Sequence, residues 1–328
     1  MDPAIEVVGT AADPYIARDR IVQLKPDVLT LDVEMPRMDG VEFLRRLMPQ
    51  YPLPVLMVSA LTQKGKQITL EALEAGAVDF VTKPSTDVAR GLGEMIAELR
   101  AKVKDVSTAN VSAWKHEDKS KSPVRPVTAT RSLAESTDKV IAIGASTGGT
   151  EALREVITAF PPDTPGVVIV QHMPAGFTKL FADRLNTQSQ MEVKEAETGD
   201  RVMTGRVLIA PGDFHMQLFR SGGIYQVKCV KGETVCGHRP SVEVLFESVA
   251  KAAGANAIGV MLTGMGHDGA DAMVQMRKAG ARTLAQNEAT SVVFGMPKEA
   301  YLRGGAEQLL PLDRIAGTVR LLLEGRVT

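Results

Sequence analysis

Residues 140–149, VIAIGASTGG, decide how the second half of the chain folds. Val140, Ile141 and Ile143 belong to a short apolar run without polar alternation, which is typical of a strand buried on both faces. A glycine-rich turn follows and leads into a helical stretch. A strand, a tight turn and a helix in this order are typical of the α/β class, in which helices cover parallel strands.

The same alternation of strands and helices occurs in both halves of the chain. Predicted strands lie at residues 5–8, 28–31, 55–58, 80–81, 140–143, 167–170, 207–210 and 257–262, with a weaker one at 283–285. Predicted helices include residues 40–47, 69–75, 242–253 and 270–279. The predicted fold class is therefore α/β, with two doubly wound parallel-sheet domains.

The composition excludes several classes of protein. The chain has 328 residues, which is enough for about two domains, and it is 44% apolar and 23% charged, as globular proteins are. Its net charge of −1 gives no basic excess for nucleic acid or an anionic membrane. The apolar runs are too short for a membrane span, and the N-terminus does not read as a signal peptide. We expect a soluble, cytoplasmic protein.

A polar segment separates the two halves. Residues 105–137 are rich in Ser, Thr, Lys and Pro and have no apolar periodicity. Such a composition buries too little surface to order itself, so we predict a flexible linker. The predicted domains are then residues 1–104 and 138–328.

The turn after residue 143 matches the motif G-x-S-x-G around Ser146. Its glycines permit a sharp strand-to-helix turn that exposes a serine hydroxyl, and the N–H groups of the following helix favour a developing oxyanion. A phosphate or nucleotide site is an equally frequent use of such a turn. The motif alone leaves both readings open.

Two other polar residues follow predicted strands in the same way. His172 comes two residues after the strand at 167–170, and Asp268 follows the strand at 257–262 and a short turn. Ligands of open α/β sheets bind at the carboxyl ends of the strands, so Ser146, His172 and Asp268 fit a nucleophile, a base and an orienting acid. The alternative is a serine cap, a loop histidine and an aspartate cap.

The other histidines fit the role of base less well. His215 lies five residues beyond the strand at 207–210, and no strand leads into the segment of His238. The order Ser–His–Asp differs from that of α/β-hydrolases, which favours a separate fold. A dinucleotide site is disfavoured, because the next strand ends in Gln171 and His172 instead of an acidic ribose ligand.

The first half carries a second set of polar residues at strand ends. Asp32, Ser59 and Lys83 follow or end successive predicted strands. A carboxylate nucleophile with a hydroxyl and an ammonium group would form a phosphoryl-accepting site. A helix cap and a surface lysine explain the pattern equally well.

The chain resembles the family of chemotaxis response regulator protein-glutamate methylesterases over nearly its whole length. The motifs that carry the resemblance are LDVEMPRMDG, VSALT, DFVTKP, IGASTGGTEAL, QHMPAGFTKLFADRLN, APGDFHM, HRPSVEVLF, GVMLTGMGHDGA, QNEAT and VVFGMP. The resemblance implies a flavodoxin-like receiver domain followed by a Rossmann-like methylesterase domain.

It also implies the site and the reaction. Ser146, His172 and Asp268 correspond to the catalytic triad, the backbone N–H of Met265 to the oxyanion donor, and Asp32 to the phosphorylated residue. The N–H of Thr147 is a candidate second oxyanion donor.

The implied activities are hydrolysis of glutamate γ-methyl esters on chemoreceptors, with release of methanol, and deamidation of receptor glutamines. Receiver phosphorylation would regulate them. The implied partners are the receptors' cytoplasmic helices and a chemotaxis histidine kinase as phosphodonor, with no nucleic acid. The hydrolysis requires no cofactor. The alternative is a nucleotide-binding, Rossmann-like signalling protein without hydrolase activity.

The sequence departs from this family at two points. The receiver opens after the strand that would end in an acidic pair and after the first helix, which leaves four predicted strands, one fewer than such a receiver contains. Mg²⁺, expected for receiver phosphorylation, would retain only Asp32 as a side-chain ligand, so we expect inefficient phosphorylation. His267 stands where asparagine is expected, beside Asp268.

Overall fold

The structure, a computed structural model, describes residues 2–84, 88–112 and 138–326. The chain divides into two compact units, Met1–Arg125 and Pro126–Thr328. Each unit contains a parallel sheet accompanied by helices, as the sequence predicts. Among the described helices, none combines the length and the apolar character that crossing a membrane requires.

The N-terminal unit is built on a small parallel sheet. Its strands are β1 (Leu29–Asp32), β2 (Val55–Ala60) and β3 (Asp79–Lys83), which lie side by side in this order. Its helices are α1 (Pro14–Leu24), α2 (Gly40–Gln50), α3 (Gln63–Glu74) and α4 (Val88–Ser107). Because Asp32 pairs with Val58 and Ala60 with Lys83, the ends of the three strands meet at one edge.

The predicted strand at residues 5–8 is wrong, because this segment forms no strand. Val7 and Val8 are 77% and 48% exposed, and β1 pairs only with β2 among the described strands. A strand is stable only when a neighbour pairs with its backbone N–H and C=O groups. Without such a neighbour, Val7 and Val8 remain exposed.

Helix α4 continues three residues into the predicted linker. Val103 and Val106 are buried one helical turn apart, and this apolar face holds the last turn of α4 against its unit. Residues 113–137, most of the predicted linker, lie outside the described residues.

The described strands of the C-terminal unit are β4 (Val140–Ala145), β5 (Val167–Gln171), β6 (Glu192–Glu195), β7 (Arg206–Ile209), β8 (His215–Ser221), β9 (Ile224–Val230), β10 (Ala257–Met261), β11 (Arg282–Gln286) and β12 (Gln308–Leu310). Seven of them form a parallel sheet in the order β12-β11-β10-β4-β5-β7-β6. The helices are α5 (Gly149–Thr158), α6 (Phe177–Gln188), α7 (Val242–Ala253), α8 (Ala270–Lys278), α9 (Met296–Leu302) and α10 (Leu312–Leu323).

The core of this unit explains the apolar runs of the sequence. Every residue of β4, β5 and β10 is buried, because these central strands are covered on both faces. Helix α5 packs against α6 and α10, whereas α8 packs against α7 and α9, as in two helical layers. Helix α7 buries Val242, Leu245, Phe246 and Val249, which lie on one face at helical spacing.

The strand order reverses at β4. From β4 the chain builds β5, β7 and β6 on one side and later adds β10, β11 and β12 on the other. The carboxyl ends of β4, β5 and β10 are therefore neighbours at the switch point of the sheet, where open α/β folds bind their ligands.

An antiparallel hairpin, β8 and β9, stands apart from the parallel sheet and is not predicted. Gly222 and Gly223 have φ of +56° and +87°, which suits the two-residue turn between the paired residues Ser221 and Ile224. The hairpin packs on α7, where the N–H of Leu218 donates to Ser248 Oγ at 2.8 Å. The chain leaves β9 through residues 231–240, which return it to the sheet edge.

Candidate active site

Ser146 lies in a tight turn between β4 and α5. Its N–H donates to the carbonyl of Thr263 at 3.0 Å, which ties the turn to the loop after β10. Gly148 has φ of +75°, and a Cβ on Gly149 would lie 2.1 Å from Gln171 Oε1. Both glycines are therefore required for the turn that presents the serine.

The three predicted triad residues are brought together at this edge. His172 Nδ1 lies 3.1 Å from Ser146 Oγ, and His172 Nε2 lies 2.7 Å from Asp268 Oδ2. The ionised carboxylate can only accept, so the ring proton belongs on Nε2, and Nδ1 is left to accept the serine hydroxyl proton. The side chains of His172 and Asp268 are 6% and 1% exposed.

Asp268 is held by four hydrogen-bond donors. Besides His172, these are Ser241 Oγ at 2.7 Å and the N–H groups of Val242 at 2.7 Å and Glu243 at 3.1 Å. The last two belong to the first turn of α7, so the carboxylate caps that helix. Burial alone would raise the pKa of Asp268, but the hydrogen bonds from His172, Ser241 and Val242 hold it below its ordinary value.

Buried polar side chains that were not predicted support the nucleophile. Gln171 Nε2 donates to the carbonyls of Ser146 at 2.9 Å and His172 at 3.2 Å. Thr263 Oγ1 donates to the carbonyl of Thr147 at 2.9 Å, and Gln286 Oε1 accepts from the N–H of Thr263 at 2.8 Å. An amide at the end of an otherwise apolar strand is the sequence signal for Gln171.

The loop after β10 carries the predicted oxyanion donor. Gly264 packs on Ser146, where a Cβ would lie 2.8 Å from the serine Cβ. The N–H of the next residue, Met265, donates to no acceptor within the described residues. It therefore remains available to an oxyanion beside the serine. Thr147 is buried in the same turn.

His238, which the sequence analysis did not place at the site, lies beside the triad. The rings of His238 and His172 stack with their centroids 3.7 Å apart and an angle of 14° between their planes. His215 is buried, and its Nε2 lies 2.8 Å from the carbonyl of Glu233. His267 is exposed on the loop that precedes Asp268.

The family model of the CheB methylesterases matches residues 141–319, more than half of the chain. This chain belongs to the CheB methylesterase family. The resemblance predicted from the motifs is thereby confirmed. A second family model, the response regulator receiver domain, matches residues 2–92.

Relatives in the CheB methylesterase family cover almost the whole chain. The protein-glutamate methylesterase/protein-glutamine glutaminase of Syntrophotalea carbinolica is 69% identical over 327 residues, 99% of this chain and 92% of that protein. Its counterpart in Escherichia coli K12 is 55% identical over 316 residues, 95% and 88% of the two chains. The crystal structure of the Thermotoga maritima CheB methylesterase catalytic domain is 40% identical, with a TM-score of 0.54 over 57% of this chain and 97% of that one.

Of the three residues predicted to form a phosphoryl-accepting site, Asp32 and Lys83 are in contact, but the side chain of Ser59 points elsewhere. Lys83 Nζ donates to Asp32 Oδ2, and both side chains are 41% exposed. Ser59 is fully buried instead. Its hydroxyl accepts from Thr69 Oγ1 at 2.6 Å and donates to the carbonyl of Gly65 at 3.2 Å.

The described residues do not fit the magnesium site of a receiver. No group of three or more His, Cys, Asp or Glu residues in the described part of the chain could hold a metal ion. Asp32 already binds Lys83 through Oδ2 and accepts the N–H of Glu34 through Oδ1 at 3.1 Å. One shared carboxylate is too little for Mg²⁺, which needs several oxygen ligands in an octahedral arrangement.

Proposed function

We propose that residues 138–328 hydrolyse glutamate γ-methyl esters on the cytoplasmic helices of chemoreceptors and release methanol. The observation that carries this proposal is the continuous set of contacts from Ser146 through His172 to Asp268. The relatives' names, which specify a protein-glutamate methylesterase and glutaminase, supply the substrate class. These relatives do not favour the alternative of a nucleotide-binding protein without hydrolase activity.

The first half of the reaction forms an acyl-enzyme. Ser146 Oγ attacks the ester carbonyl while His172 Nδ1 takes the hydroxyl proton. Asp268, bonded to Nε2, supports the imidazolium that results. His172 then delivers the proton to the departing methoxide, so methanol leaves and the receptor glutamate remains as an ester of Ser146.

The second half uses the same groups on water. His172 takes a proton from water as it attacks the acyl-enzyme, and Ser146 leaves with that proton restored. The product is a free glutamate. A glutamine side chain follows the same route, with ammonia leaving in place of methanol, so one site supports both esterase and deamidase chemistry.

Backbone N–H groups would bind the oxyanion in both halves. We assign the main role to Met265 and the second to Thr147, because both belong to the loops that meet at Ser146. A donor of this kind is worth about 3–4 kcal/mol of transition-state stabilisation. No step in this sequence uses a metal or an organic cofactor.

Methanol release from methylated chemoreceptor membranes tests the proposal. We expect release with the wild-type chain and none above background with Ser146→Ala, because the acyl-enzyme cannot form. If the receiver inhibits the full chain, a fragment of residues 138–328 should still release methanol, and the same fragment with Ser146→Ala should not. Failure of both folded proteins to release methanol would refute the esterase.

We further propose residues 1–104 as a receiver in which Asp32 is the phosphoryl acceptor for a histidine kinase, and residues 105–137 as the linker. The exposed ion pair between Asp32 and Lys83 supports this assignment, because the ammonium group would bind a phosphoryl oxygen.

Phosphorylation of the polypeptide 1–328 should be inefficient. Transfer to Asp32 depends on a divalent cation that neutralises the phosphoryl oxygens, and the described carboxylates do not form a site for one. We expect that a small phosphodonor with Mg²⁺ labels the chain no faster than without Mg²⁺. The control is Asp32→Asn. Stable, Mg²⁺-dependent label that this variant abolishes would contradict the prediction.

A further inference from the structure

His238 covers one face of the catalytic imidazole. The two rings are nearly parallel, with an angle of 14° and a centroid distance of 3.7 Å. His172 must keep Nδ1 at Ser146 and Nε2 at Asp268 simultaneously. An imidazole nitrogen donates or accepts in the plane of its ring, so two such hydrogen bonds resist tilting of the ring about the line between its nitrogens only weakly. A flat group on the face of the ring opposes that tilt directly.

The chain builds a dedicated turn to present His238. Val235 and His238 exchange two backbone hydrogen bonds, at 3.0 and 2.9 Å, across Cys236 and Gly237. The two central residues have φ of +50° and +80°, as in a two-residue hairpin turn with both central residues left-handed. A cysteine in this conformation is strained, which indicates that the surrounding contacts impose the turn.

Those contacts anchor the segment before the turn. His215 Nε2 lies 2.8 Å from the carbonyl of Glu233, and Arg239 donates to the carbonyl of Gly232. The guanidinium of Arg239 also binds Asp213, with Nε at 3.0 Å from Oδ1. This hydrogen bond from Arg239 holds the pKa of Asp213 below its ordinary value, so the anchor is an ion pair at neutral pH.

The segment after the turn reaches the third triad residue. Ser241 Oγ and the N–H of Val242 both donate to Asp268 at 2.7 Å. Residues 238–242 therefore contact His172 at one end and Asp268 at the other. A short segment that touches two triad members can set their relative orientation.

We propose that His238 is a positioning residue for His172, a role that rests on the proposed function of the triad. Its ring holds the imidazole of His172 in the plane that serves both Ser146 and Asp268. His238 exchanges no proton with the substrate.

The rate at which a small fluorophosphonate modifies Ser146 tests this role without any receptor. In that reaction the Ser146 Oγ–P bond forms, fluoride leaves and His172 takes the hydroxyl proton, so the rate reports activation of the nucleophile. The variants are His238→Ala, which removes the stack, and His238→Phe, which keeps a flat ring. Thr234→Ala, an exposed residue of the same segment, is the matched control.

We expect His238→Ala to react about threefold to tenfold more slowly than wild type, which is the range for loss of an aromatic pair. His238→Phe should recover most of the rate, and Thr234→Ala should match wild type. With methylated receptors, kcat should fall by the same factor and KM should not change. His238→Leu fills the space without a flat ring, and it replaces the alanine variant if that variant lacks a native thermal transition.

Three results would overturn the role. One is a wild-type rate for His238→Ala or His238→Leu. Another is an equal loss with phenylalanine and with the non-aromatic variant, because a flat ring would then not be what matters. The third is a wild-type Ser146 that does not react at all, which would overturn the proposed function and the positioning role together.

Discussion

Asp268→Asn should lower kcat for receptor ester hydrolysis about 10⁴-fold, with little change in KM. Asp268 Oδ2 lies 2.7 Å from both His172 Nε2 and the N–H of Val242, and Oδ1 accepts from Ser241 and Glu243. All four partners are donors, so either orientation of an asparagine amide places its NH₂ group against a donor. In either orientation the imidazole loses the negative charge that supports its protonated form, and with the NH₂ group at Nε2 it also loses the acceptor that fixes its tautomer.

The measurement is methanol release at saturating and subsaturating concentrations of methylated receptor. Asp271→Asn is the matched control, because Asp271 lies three residues further along and its side chain is 64% exposed. We expect the control to stay within a factor of about two of wild type. An Asp268→Asn chain that keeps more than a tenth of the wild-type kcat would show that Asp268 does not orient the base.

The same substitution should destabilise the C-terminal unit. Asp268 caps α7 from outside the helix, and α7 packs against α8, β4 and β8. Loss of these hydrogen bonds to a buried carboxylate should reduce the free energy of unfolding by about 1–3 kcal/mol. Thermal unfolding of residues 138–328 provides the measurement.

The loss of stability should depend on pH. Because the pKa of Asp268 in the folded chain lies below its ordinary value of 3.8, folding favours the ionised form. Its stabilising contribution is complete above the ordinary value and disappears as the pH falls through the lower pKa of the folded chain. The difference in Tm between wild type and Asp268→Asn should therefore be larger at about pH 7 than at about pH 3.

The sequence predicts the triad because each residue follows a strand that is apolar throughout. Residues of β4, β5 and β10 are buried on both faces, so their runs stand out without any knowledge of pairing. Parallel strands deliver their carboxyl ends to one edge, and that rule brings Ser146, His172 and Asp268 together. The order of the strands, which makes them neighbours, follows only from the structure.

The position of His238 at the site could not be predicted in this way, because His238 does not follow a strand of the parallel sheet. A hairpin and an anchored turn bring it back to the sheet edge, and both depend on contacts between residues far apart in sequence. The local signal was the Gly237 that precedes it, since a two-residue turn with glycine second is typical of a tight hairpin. That signal predicts the turn, but it does not predict that the ring of His238 stacks on the ring of His172.

The error at residues 5–8 has a different cause. Apolar β-branched residues predict a strand only if a partner strand is available, and β1 pairs only with β2 among the described strands. Ser59 shows a related limit. Its place at the end of β2 was predicted, but its hydroxyl binds Thr69 and Gly65 of α3. Side-chain direction depends on the packing of neighbouring elements, which sequence patterns do not specify.

Ser146→Ala and His172→Ala should each lower kcat about 10⁶-fold, and the double variant should be no slower than either single one. The two groups act as one unit across the 3.1 Å contact between Oγ and Nδ1, so removal of either leaves the other without a function. Methanol release over long incubation at high enzyme concentration measures all three variants, with Thr234→Ala as the control. A residual rate above that of water would come from the Met265 N–H and from substrate binding.

Comparison of the two single variants also tests whether another histidine can act as the base. The imidazole of His238 stacks on His172, so activity of His172→Ala above that of Ser146→Ala would identify His238 as a substitute base. In that case the further change His238→Ala should remove the excess. Two singles of equal rate, with a double variant at the same level, would leave His172 as the base. A double variant slower than each single by more than about tenfold would contradict joint action of Ser146 and His172, because independent contributions add as free energies.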